Sequence, residues 1–430
     1  MVEQSGTGVL AGGRELFRRY WVRGKPGRPT SQVELTWIFG AWLLAFVGKV
    51  LGSSWDVSWH FKWLRDDLAP PHLLNSLGTG LVFALVVFHS YTGFGVDKIA
   101  LRLMQWGIGL FLLAVPLDLL NHAIHGLDIT SWSPTHVLLY SGTAVMLTGT
   151  IRAWWLYAAP GRIRNVVLLA LWMFFFENVL FPNQHQEYGV VSLGLFNQGR
   201  TSAEPILLDF AREQGSSPAE FMLPVPSWVH PAWLICAGFL TLVVARKVTG
   251  LRWTATMVTA GYLLYRFITM GLLGAADFPT SAVPVMALVG AVLIDLAVTF
   301  RVPALVAGLV VSFATYGAAW LQETVWVIPP WSWWSALPVA LGFALLWFGV
   351  NRIPRAKSDD PVSTRYPASV AGPVPYGTGG PDKNPARASA DSPPASVAGR
   401  VRYGTGGPDK NPARASARTP ADAPLPRSII

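Results

Sequence analysis

The sequence has almost no cysteine and little charge. Cys236 is the only cysteine among 430 residues, so disulfides within the chain and cysteine-rich zinc sites are excluded. Asp, Glu, Lys and Arg make up 13% of the chain, whereas a typical soluble domain has about 25%. Hydrophobic residues supply 52%, with 20 tryptophans. This composition indicates an integral membrane protein rather than a soluble domain.

The net charge of +9 belongs to the ends of the chain. Residues 31–350 contain 15 basic and 16 acidic side chains, whereas the two ends together contain 18 basic and 8 acidic ones. The basic excess therefore lies where no folded scaffold is expected, and nucleic acid is not an expected partner.

Ten long apolar runs fill the body of the chain. A helix needs about 20 mostly apolar residues to cross a bilayer. The runs that satisfy this are 34–53, 73–95, 103–121, 136–158, 165–182, 228–245, 253–273, 282–300, 302–322 and 335–351. The sequence thus predicts an all-α, polytopic integral membrane protein of about ten transmembrane helices, arranged as five helical hairpins.

Basic residues at alternate connections predict the orientation of these helices in the cell membrane. They precede the first run and follow every second run, ending with Arg352, Arg355 and Lys357. Because basic connections stay in the cytoplasm, both termini are expected there. The connections 54–72, 122–135, 183–227, 274–281 and 323–334 are then expected on the extracytoplasmic side.

The chain divides into four predicted parts. Residues 1–30 form a cytoplasmic segment, 31–160 two repeated hairpins, 161–351 six further helices, and 352–430 a tail. In the tail, ASVAGPVPYGTGGPDKNPARASA from Ala368 recurs as ASVAGRVRYGTGGPDKNPARASA from Ala395. This tandem repeat of 27 residues is too rich in proline and glycine to bury a core, so the tail is predicted to be disordered.

Ionisable residues recur in the same order in the first two hairpins. Hairpin one, built from the first two runs, carries Asp56, His60, Asp66, His72 and then Gly78-Thr79. Hairpin two, built from the next two runs, carries Asp118, His122, Asp128, His136 and then Gly142-Thr143. The spacing D-x3-H-x5-D-x(5-7)-H-x5-G-T is shared by both. A duplicated pattern of six positions indicates an internal repeat.

The spacing in each hairpin suits a metal site. Residues four apart share one face of a helix, so Asp56 and His60 present an oxygen and a nitrogen together. His72 then enters at the start of the next helix, facing them. One carboxylate and two imidazoles are the ligands of a two-His-one-carboxylate site. The predicted metal ligands are Asp56, His60 and His72 in hairpin one, and Asp118, His122 and His136 in hairpin two.

Other interpretations of the same residues stay open. Each Asp–His–His cluster is also explained by a hydrogen-bonded network that pins the hairpin or relays protons. Asp66 and Asp128 are expected to orient an imidazole or cap a turn rather than to bind a metal. Glu177, His185 and His230 form a third set, but their spacing matches neither hairpin, and we interpret them as loop residues.

The duplicated pattern resembles the C subunit of copper-containing membrane monooxygenases, the particulate methane and ammonia monooxygenases and their hydrocarbon-oxidising relatives. The resemblance covers about residues 34–158, roughly a third of the chain. In that family the two sets bind copper inside the membrane, on the extracytoplasmic side. The resemblance implies copper at the two ligand sets named above. The family's second set begins with Asn, and Asp118 departs from that pattern.

The sequence and the resemblance together predict a copper-dependent, monooxygenase-like subunit acting on a small apolar substrate. Iron and zinc are further metals that these ligands take. The expected partners are the lipid bilayer and other membrane subunits of an oxidase-type complex. Two alternatives remain, a transporter or copper-handling permease and a non-catalytic membrane scaffold. A chain of polar residues across the membrane would indicate the transporter.

Overall fold

Ten helices follow one another in the part of the chain that the computed structural model describes. This part comprises residues 20–59, 68–125, 131–183, 209, 225–278, 282–326, 328 and 331–352. The helices are α1 Gln32–Trp59, α2 Pro70–Thr92, α3 Lys98–His125, α4 Pro134–Tyr157, α5 Arg162–Leu180, α6 Val229–Thr249, α7 Thr254–Ala275, α8 Met286–Thr299, α9 Ala304–Val325 and α10 Ala336–Arg352. A single 3₁₀ turn, Phe181–Asn183, extends α5, and another, Trp333–Ser335, leads into α10. In α6, the stretch Trp233–Gly238 is π-helical.

Eight of the ten helices are long and apolar enough to cross a membrane. The other two are α4, whose many Ser, Thr and Gly residues make it less apolar, and α8, which has only 14 residues. Apolar side chains face outward along these helices, with Trp37 78% exposed and Trp106 74% exposed. Long apolar helices with apolar outer faces are those of a protein that lies in lipid, so the prediction of a polytopic helical membrane protein is confirmed.

Helix α8 is short because proline interrupts its start. The predicted run begins at residue 282, but Pro284 disfavours the helical conformation at Val283, and the helix begins at Met286. Gln322 of α9 replaces the missing helical hydrogen bonds. Its Oε1 accepts from the backbone N–H of Met286 at 3.0 Å, and its Nε2 donates to the carbonyl of Val283 at 2.8 Å. The backbone polar groups of this irregular stretch therefore have hydrogen-bond partners inside the protein.

Two helices extend further than their apolar runs predict. Helix α1 continues to Trp59 rather than residue 53, and α3 to His125 rather than residue 121. Hydropathy indicates where a helix leaves the hydrocarbon, and a helix can continue beyond that level. In α1, an edge-to-face contact between Trp55 and Trp59 stabilises the part beyond the apolar run. The first predicted connection, 54–72, is therefore too long at both ends, since residues 54–59 are still helical and the next helix has already begun at residue 70. The predictions for residues 1–19 and for the tail from 353 onward lie outside the described residues.

The two hairpins pack through equivalent glycine contacts. Helices α1 and α2 form hairpin one, and α3 and α4 form hairpin two. A Cβ on Gly78 would lie 2.9 Å from the carbonyl oxygen of Ala45 and 2.9 Å from the backbone nitrogen of Lys49. In hairpin two, a Cβ on Gly142 would lie 2.8 Å from the carbonyl oxygen of Gly107 and 2.8 Å from the nitrogen of Phe111. The same shift of 62 positions relates Ala45 to Gly107, Lys49 to Phe111 and Asp56 to Asp118. The sequence repeat is therefore also a repeat of helix packing.

Candidate metal centre

In hairpin one, an aspartate and a histidine meet where the two helices approach their connection. Asp56 lies in the last turn of α1, and His72 is the third residue of α2. Their Oδ1 and Nε2 atoms are 2.8 Å apart, and the side chains are 27% and 33% exposed. Pro70 and Pro71 occupy the first helical positions, where an absent N–H costs nothing. The prolines thus fix where α2 begins and bring His72 opposite Asp56.

In hairpin two, the equivalent aspartate and histidine also meet, at a longer distance. Nε2 of His136 lies 3.6 Å from Oδ1 of Asp118. The hydroxyl of Thr135 donates to the same oxygen at 2.5 Å. In hairpin one the equivalent residue is Pro71, which has no hydroxyl to donate. The competing hydrogen bond explains why the second pair is wider than the first.

The structure aligns the starts of the second helices of the two hairpins. In the sequence, Pro71 directly precedes its histidine, whereas Pro134 precedes its histidine by two residues. Helix α2 begins at Pro70 and α4 at Pro134, so each histidine is the third residue of its helix. The extra length of the second repeat therefore lies in the connection before Pro134. In α4, Ser133 also caps the helix by accepting from the backbone N–H of His136 at 3.3 Å.

The remaining predicted ligands are only partly described. His60 follows the last residue of α1 and lies outside the described residues, as do Asp66 and Asp128. His122 lies within α3, but the placement of its side chain is outside the description. Among the residues that are described, no three His, Cys, Asp or Glu side chains form a group that could hold a metal. The convergence of three ligands in each hairpin therefore stays a prediction, and one Asp–His pair in each hairpin is what the structure supplies.

The third candidate set separates into two clusters, and its interpretation as loop residues is wrong for Glu177, which is buried in α5, and for His230, which is buried in α6. His230, which is buried, places Nδ1 2.8 Å from the side-chain oxygen of Asn183 and accepts from the Asn183 amide at its backbone carbonyl, at 3.0 Å. Glu177 instead interacts electrostatically with Arg266 of α7. His185, the remaining member, lies outside the described residues. Buried Glu177 and Arg266 thus belong to one cluster, separate from His230 and Asn183.

A row of polar residues beneath the first pair was not recognised from the sequence. On α1, Lys49, Ser53 and Asp56 lie three or four positions apart, as do His72, Asn75 and Thr79 on α2, so each group shares one helix face. Nζ of Lys49 donates to Oδ1 of Asn75 at 3.2 Å and to the hydroxyl of Thr79 at 2.9 Å. Nδ2 of Asn75 donates to the hydroxyl of Ser53 at 3.4 Å. We call these six residues the polar ladder. Their matched spacing on both helices is the signal that would have revealed them.

Another polar contact lies on a different side of α1, beside the polar ladder. The hydroxyl of Tyr265 on α7 donates to the carbonyl of Val50 at 3.0 Å and hydrogen-bonds the hydroxyl of Ser54. Tyr265 is also close enough to Glu177 and Arg266 to interact with both electrostatically. Helix α1 is therefore flanked by polar groups along the segment that precedes Asp56.

His89 is a structural histidine of α2. Its side chain is fully buried, and Nε2 accepts from the indole N–H of Trp42 at 3.0 Å. Because Nε2 accepts, Nδ1 carries the proton, and it donates to the carbonyl of Phe94 at 2.8 Å. Both ring nitrogens are thus satisfied within the core, and neither is left to bind a metal.

Comparison with known proteins identifies no relative. No family model, no curated protein and no solved structure matches this chain. The role of the site is therefore inferred from its own residues and from the repetition of the two hairpins.

Proposed function

We propose that the protein is a copper-dependent, monooxygenase-like membrane subunit that acts on a small apolar substrate and holds one metal ion at each of its first two hairpins. One observation carries the proposal. An aspartate near the end of one helix meets the third residue of the next, a histidine, and this happens twice at equivalent positions. The Asp–His pair therefore belongs to the repeated unit, as two equivalent metal sites require.

The two pairs fit the chemistry of a metal site. Carboxylate oxygen and imidazole nitrogen bind copper, iron and zinc. Ligand atoms around one such ion lie roughly 3–4 Å apart, because each metal–ligand bond is about 2 Å long. The Asp–His distances of 2.8 Å and 3.6 Å are close to that spacing. His60 and His122 complete the sets in the proposal, since each follows its aspartate by four residues in the sequence.

The side chains around each pair hold the ligands in place. Thr135 fixes one carboxylate oxygen of Asp118 through its hydroxyl. Pro70 and Pro134 begin the helices that carry the two histidines. A bound copper ion would activate O₂ or store an electron beside the reaction. A small apolar substrate dissolves in the hydrocarbon around the helices and reaches the pairs from the bilayer.

The proposal includes an orientation and partners. The alternation of basic connections supports cytoplasmic termini and metal sites on the extracytoplasmic side. Other membrane subunits of an oxidase-type complex complete the proposed assembly. A reporter fused after Arg355 is expected to be active only when it is of the cytoplasmic type. Activity of a periplasmic-type reporter at that position would reverse the orientation.

Metal content is the direct test of the proposed sites. Wild-type protein, purified without chelator and supplied with copper, is expected to carry two ions per chain by elemental analysis. His72→Ala and His136→Ala should each carry one ion, because each removes a ligand from one set. The double variant should carry none. All should keep the helical body folded, since interhelical packing stabilises most of the fold.

A matched control separates a site from a general effect of losing a histidine. His125 lies on α3 close to His122 in the chain, but hairpin one has no equivalent residue, so His125→Ala should retain both ions. Wild-type protein that stays metal-free after copper, iron and zinc have been supplied in turn would contradict the proposal. If the same histidine variants then lower the melting temperature, the pairs are structural pins and the scaffold alternative is favoured.

A further inference from the structure

The segment ahead of α1 lies against the end of α2 that is remote from its Asp–His pair. We call this segment, residues 20–31, the strap. The backbone N–H of Gly24 donates to the carbonyl of Tyr91, in the last turn of α2, at 2.9 Å. The ring of Trp21 stacks on the ring of Tyr91, with 5.0 Å between the centroids. A backbone hydrogen bond and an aromatic contact thus fix the strap on the surface of α2.

The strap presents two exposed cations beside this contact. Gly24 faces α2 so closely that a Cβ there would overlap the carbonyl oxygen of Thr92. Only glycine fits at such a close approach of two backbones. Arg23 and Lys25, the residues on either side of Gly24, have exposed side chains. The contact at Gly24 therefore holds the backbone of both cations in place.

Two further cations lie on the first turns of α3. Lys98 and Arg102 are exposed and four positions apart, so they share one helix face. Gln105 continues the same face, and its Nε2 donates to the hydroxyl of Ser90 on α2 at 2.9 Å. Ser90 directly precedes Tyr91, the residue that binds the strap. The cations of the strap and those of α3 therefore surround the same turn of α2.

The four cations, which we call the basic patch, are not balanced by nearby acidic residues. Asp97 accepts from the N–H of Ala100 at 2.9 Å and from Arg152 at 2.8 Å. Glu34 accepts from the N–H of Ser31 at 3.0 Å. Within the part of the chain that the structure describes, no carboxylate pairs with a cation of the basic patch. The patch therefore attracts an anion from outside the protein.

The level of the basic patch along the helices is that of lipid headgroups. Trp106, which is 74% exposed, follows Lys98 by eight residues, so it lies about 12 Å deeper along α3, where an apolar side chain faces hydrocarbon. Trp21 and Tyr91 stack beside the patch, and tryptophan and tyrosine rings are enriched where the bilayer meets water. The anion present at that level is the phosphate of a phospholipid.

We propose that the basic patch binds the phosphate headgroups of anionic phospholipids, and that the strap and α3 contact the same headgroups. A headgroup held in this way supplies the negative charge that the protein does not provide. It also joins the strap to α3. The inference goes beyond the proposed function and does not depend on it, because no metal ligand takes part.

The test compares two phospholipids and two pairs of charge-removing substitutions. Phosphatidylglycerol, which is anionic, or phosphatidylcholine, which has no net charge, is titrated into the full-length protein in an uncharged detergent. Native mass spectrometry measures the fraction of protein with bound lipid. Each cation near an anionic headgroup layer strengthens binding about fivefold. Arg23→Gln with Lys25→Gln should therefore weaken phosphatidylglycerol binding at least about tenfold, and so should Lys98→Gln with Arg102→Gln. Phosphatidylcholine binding should stay unchanged.

A matched control removes the same charge elsewhere. Arg252 and Arg301 are exposed and follow α6 and α8, away from the strap in the chain. Arg252→Gln with Arg301→Gln should weaken phosphatidylglycerol binding less than about twofold. An equal loss in this control would show attraction to net charge alone and would overturn the inference. A wild-type protein that binds both lipids equally would also overturn it.

Two further arms identify the ligand and the role of charge. Inorganic phosphate at the concentration of the lipid should not displace phosphatidylglycerol, and displacement would make free phosphate the ligand and reject the lipid. The charge-conserving exchange Arg23→Lys with Lys25→Arg should retain the affinity. Helical content and melting temperature are followed on the same samples. If both glutamine pairs fail to fold while the charge-conserving exchange folds, the cations serve stability and the inference is overturned.

Discussion

Hairpin one and hairpin two have the same helix packing and different interiors. Gly78 and Gly142 meet the backbone of the facing helix at equivalent positions, and both hairpins bring an aspartate to a histidine. Below the pairs, one hairpin contains a buried lysine and the other a phenylalanine, and the two side chains touch. Where the backbones of two helices touch, only glycine fits. The neighbouring position accepts a lysine in one hairpin and a phenylalanine in the other. The packing geometry is therefore what the repeat retains most strictly.

The two hairpins also differ at the start of their second helices, α2 and α4. Ala69-Pro70-Pro71 precedes His72, and no side chain caps α2. Ser133-Pro134-Thr135 precedes His136, with a side-chain cap and a hydroxyl that bonds Asp118. Hairpin two thus fixes its carboxylate locally, whereas hairpin one has charge and polar groups deeper in the bundle. The following predictions test this contrast, beginning with the largest expected effect.

Placing a lysine in hairpin two should be the most damaging change. Phe111→Lys would bury a second ammonium beside Lys49, and of the two acceptors of Lys49 only Thr79 has a polar equivalent in hairpin two, Thr143, because Leu139 replaces Asn75. An uncompensated buried charge costs about 3–5 kcal/mol, so we expect a loss of that order in the free energy of unfolding. Denaturant-induced unfolding in detergent measures it.

Two variants show whether this cost comes from charge. Phe111→Met keeps an apolar side chain and should cost less than about 2 kcal/mol. Adding Lys49→Gln to Phe111→Lys should recover part of the loss, because it removes the repulsion between like charges. Equal damage from methionine and lysine at position 111 would show that the ring, not the charge, decides the contrast.

The glycine contacts should respond equally in both hairpins. Gly78→Ala and Gly142→Ala would each place a methyl group under 3.0 Å from facing backbone, so the helices must separate. Overpacking of this kind costs about 1–3 kcal/mol, and the same amount is expected at both positions. The free energy of unfolding of the two variants, measured side by side, checks the equivalence.

Each glycine has a matched control on its hairpin. A Cβ on Gly80 of α2 or on Gly109 of α3 meets nothing within 4 Å. Gly80→Ala and Gly109→Ala should therefore leave stability unchanged or raise it by up to about 1 kcal/mol. A large loss at only one of Gly78 and Gly142 would disprove the equivalence of the two packings.

The smallest expected effect concerns how the first helix of each hairpin begins. Ser31 precedes α1, and its hydroxyl accepts from the N–H of Glu34 at 3.2 Å. Asp97 precedes α3, and there it accepts from the N–H of Ala100 at 2.9 Å and from Arg152 at 2.8 Å. Burial opposes ionisation of Asp97, but the hydrogen bonds from Arg152 and Ala100 outweigh it and hold the pKa of that carboxyl below its usual range.

This difference predicts a pH dependence specific to hairpin two. The pKa of Asp97 is lower in the folded protein, so its contribution to stability is present above the ordinary aspartate pKa of about 4. The contribution is lost as the pH falls through the lowered folded value. The partners are partly exposed, so we expect less than about 1 kcal/mol. Wild type and Asp97→Asn, melted between about pH 7 and about pH 3, should differ most at neutral pH and converge at the acid end; a gap that widens on acidification would contradict this.

Much of the helical framework could be predicted from the sequence. Apolar runs of about 20 residues must become helices in a membrane, because no water is present to satisfy an extended backbone. The order of all ten helices followed from this constraint. Their bounds did not, as Pro70 and Met286 show, because prolines at the helix starts and contacts with other helices decide where each helix begins.

The sequence by itself also determined that two hairpins repeat, since the spacing within the first set recurs in the second at every motif position but one. Only the tertiary structure decided which partners the buried charges find. Lys49 and Arg266 are isolated cations along the chain, and their partners come from other helices, Asn75 of α2 and Glu177 of α5. Helical periodicity is a local property that a sequence carries directly. The partner of a buried charge depends on which helix faces it, and that is fixed only when the helices pack.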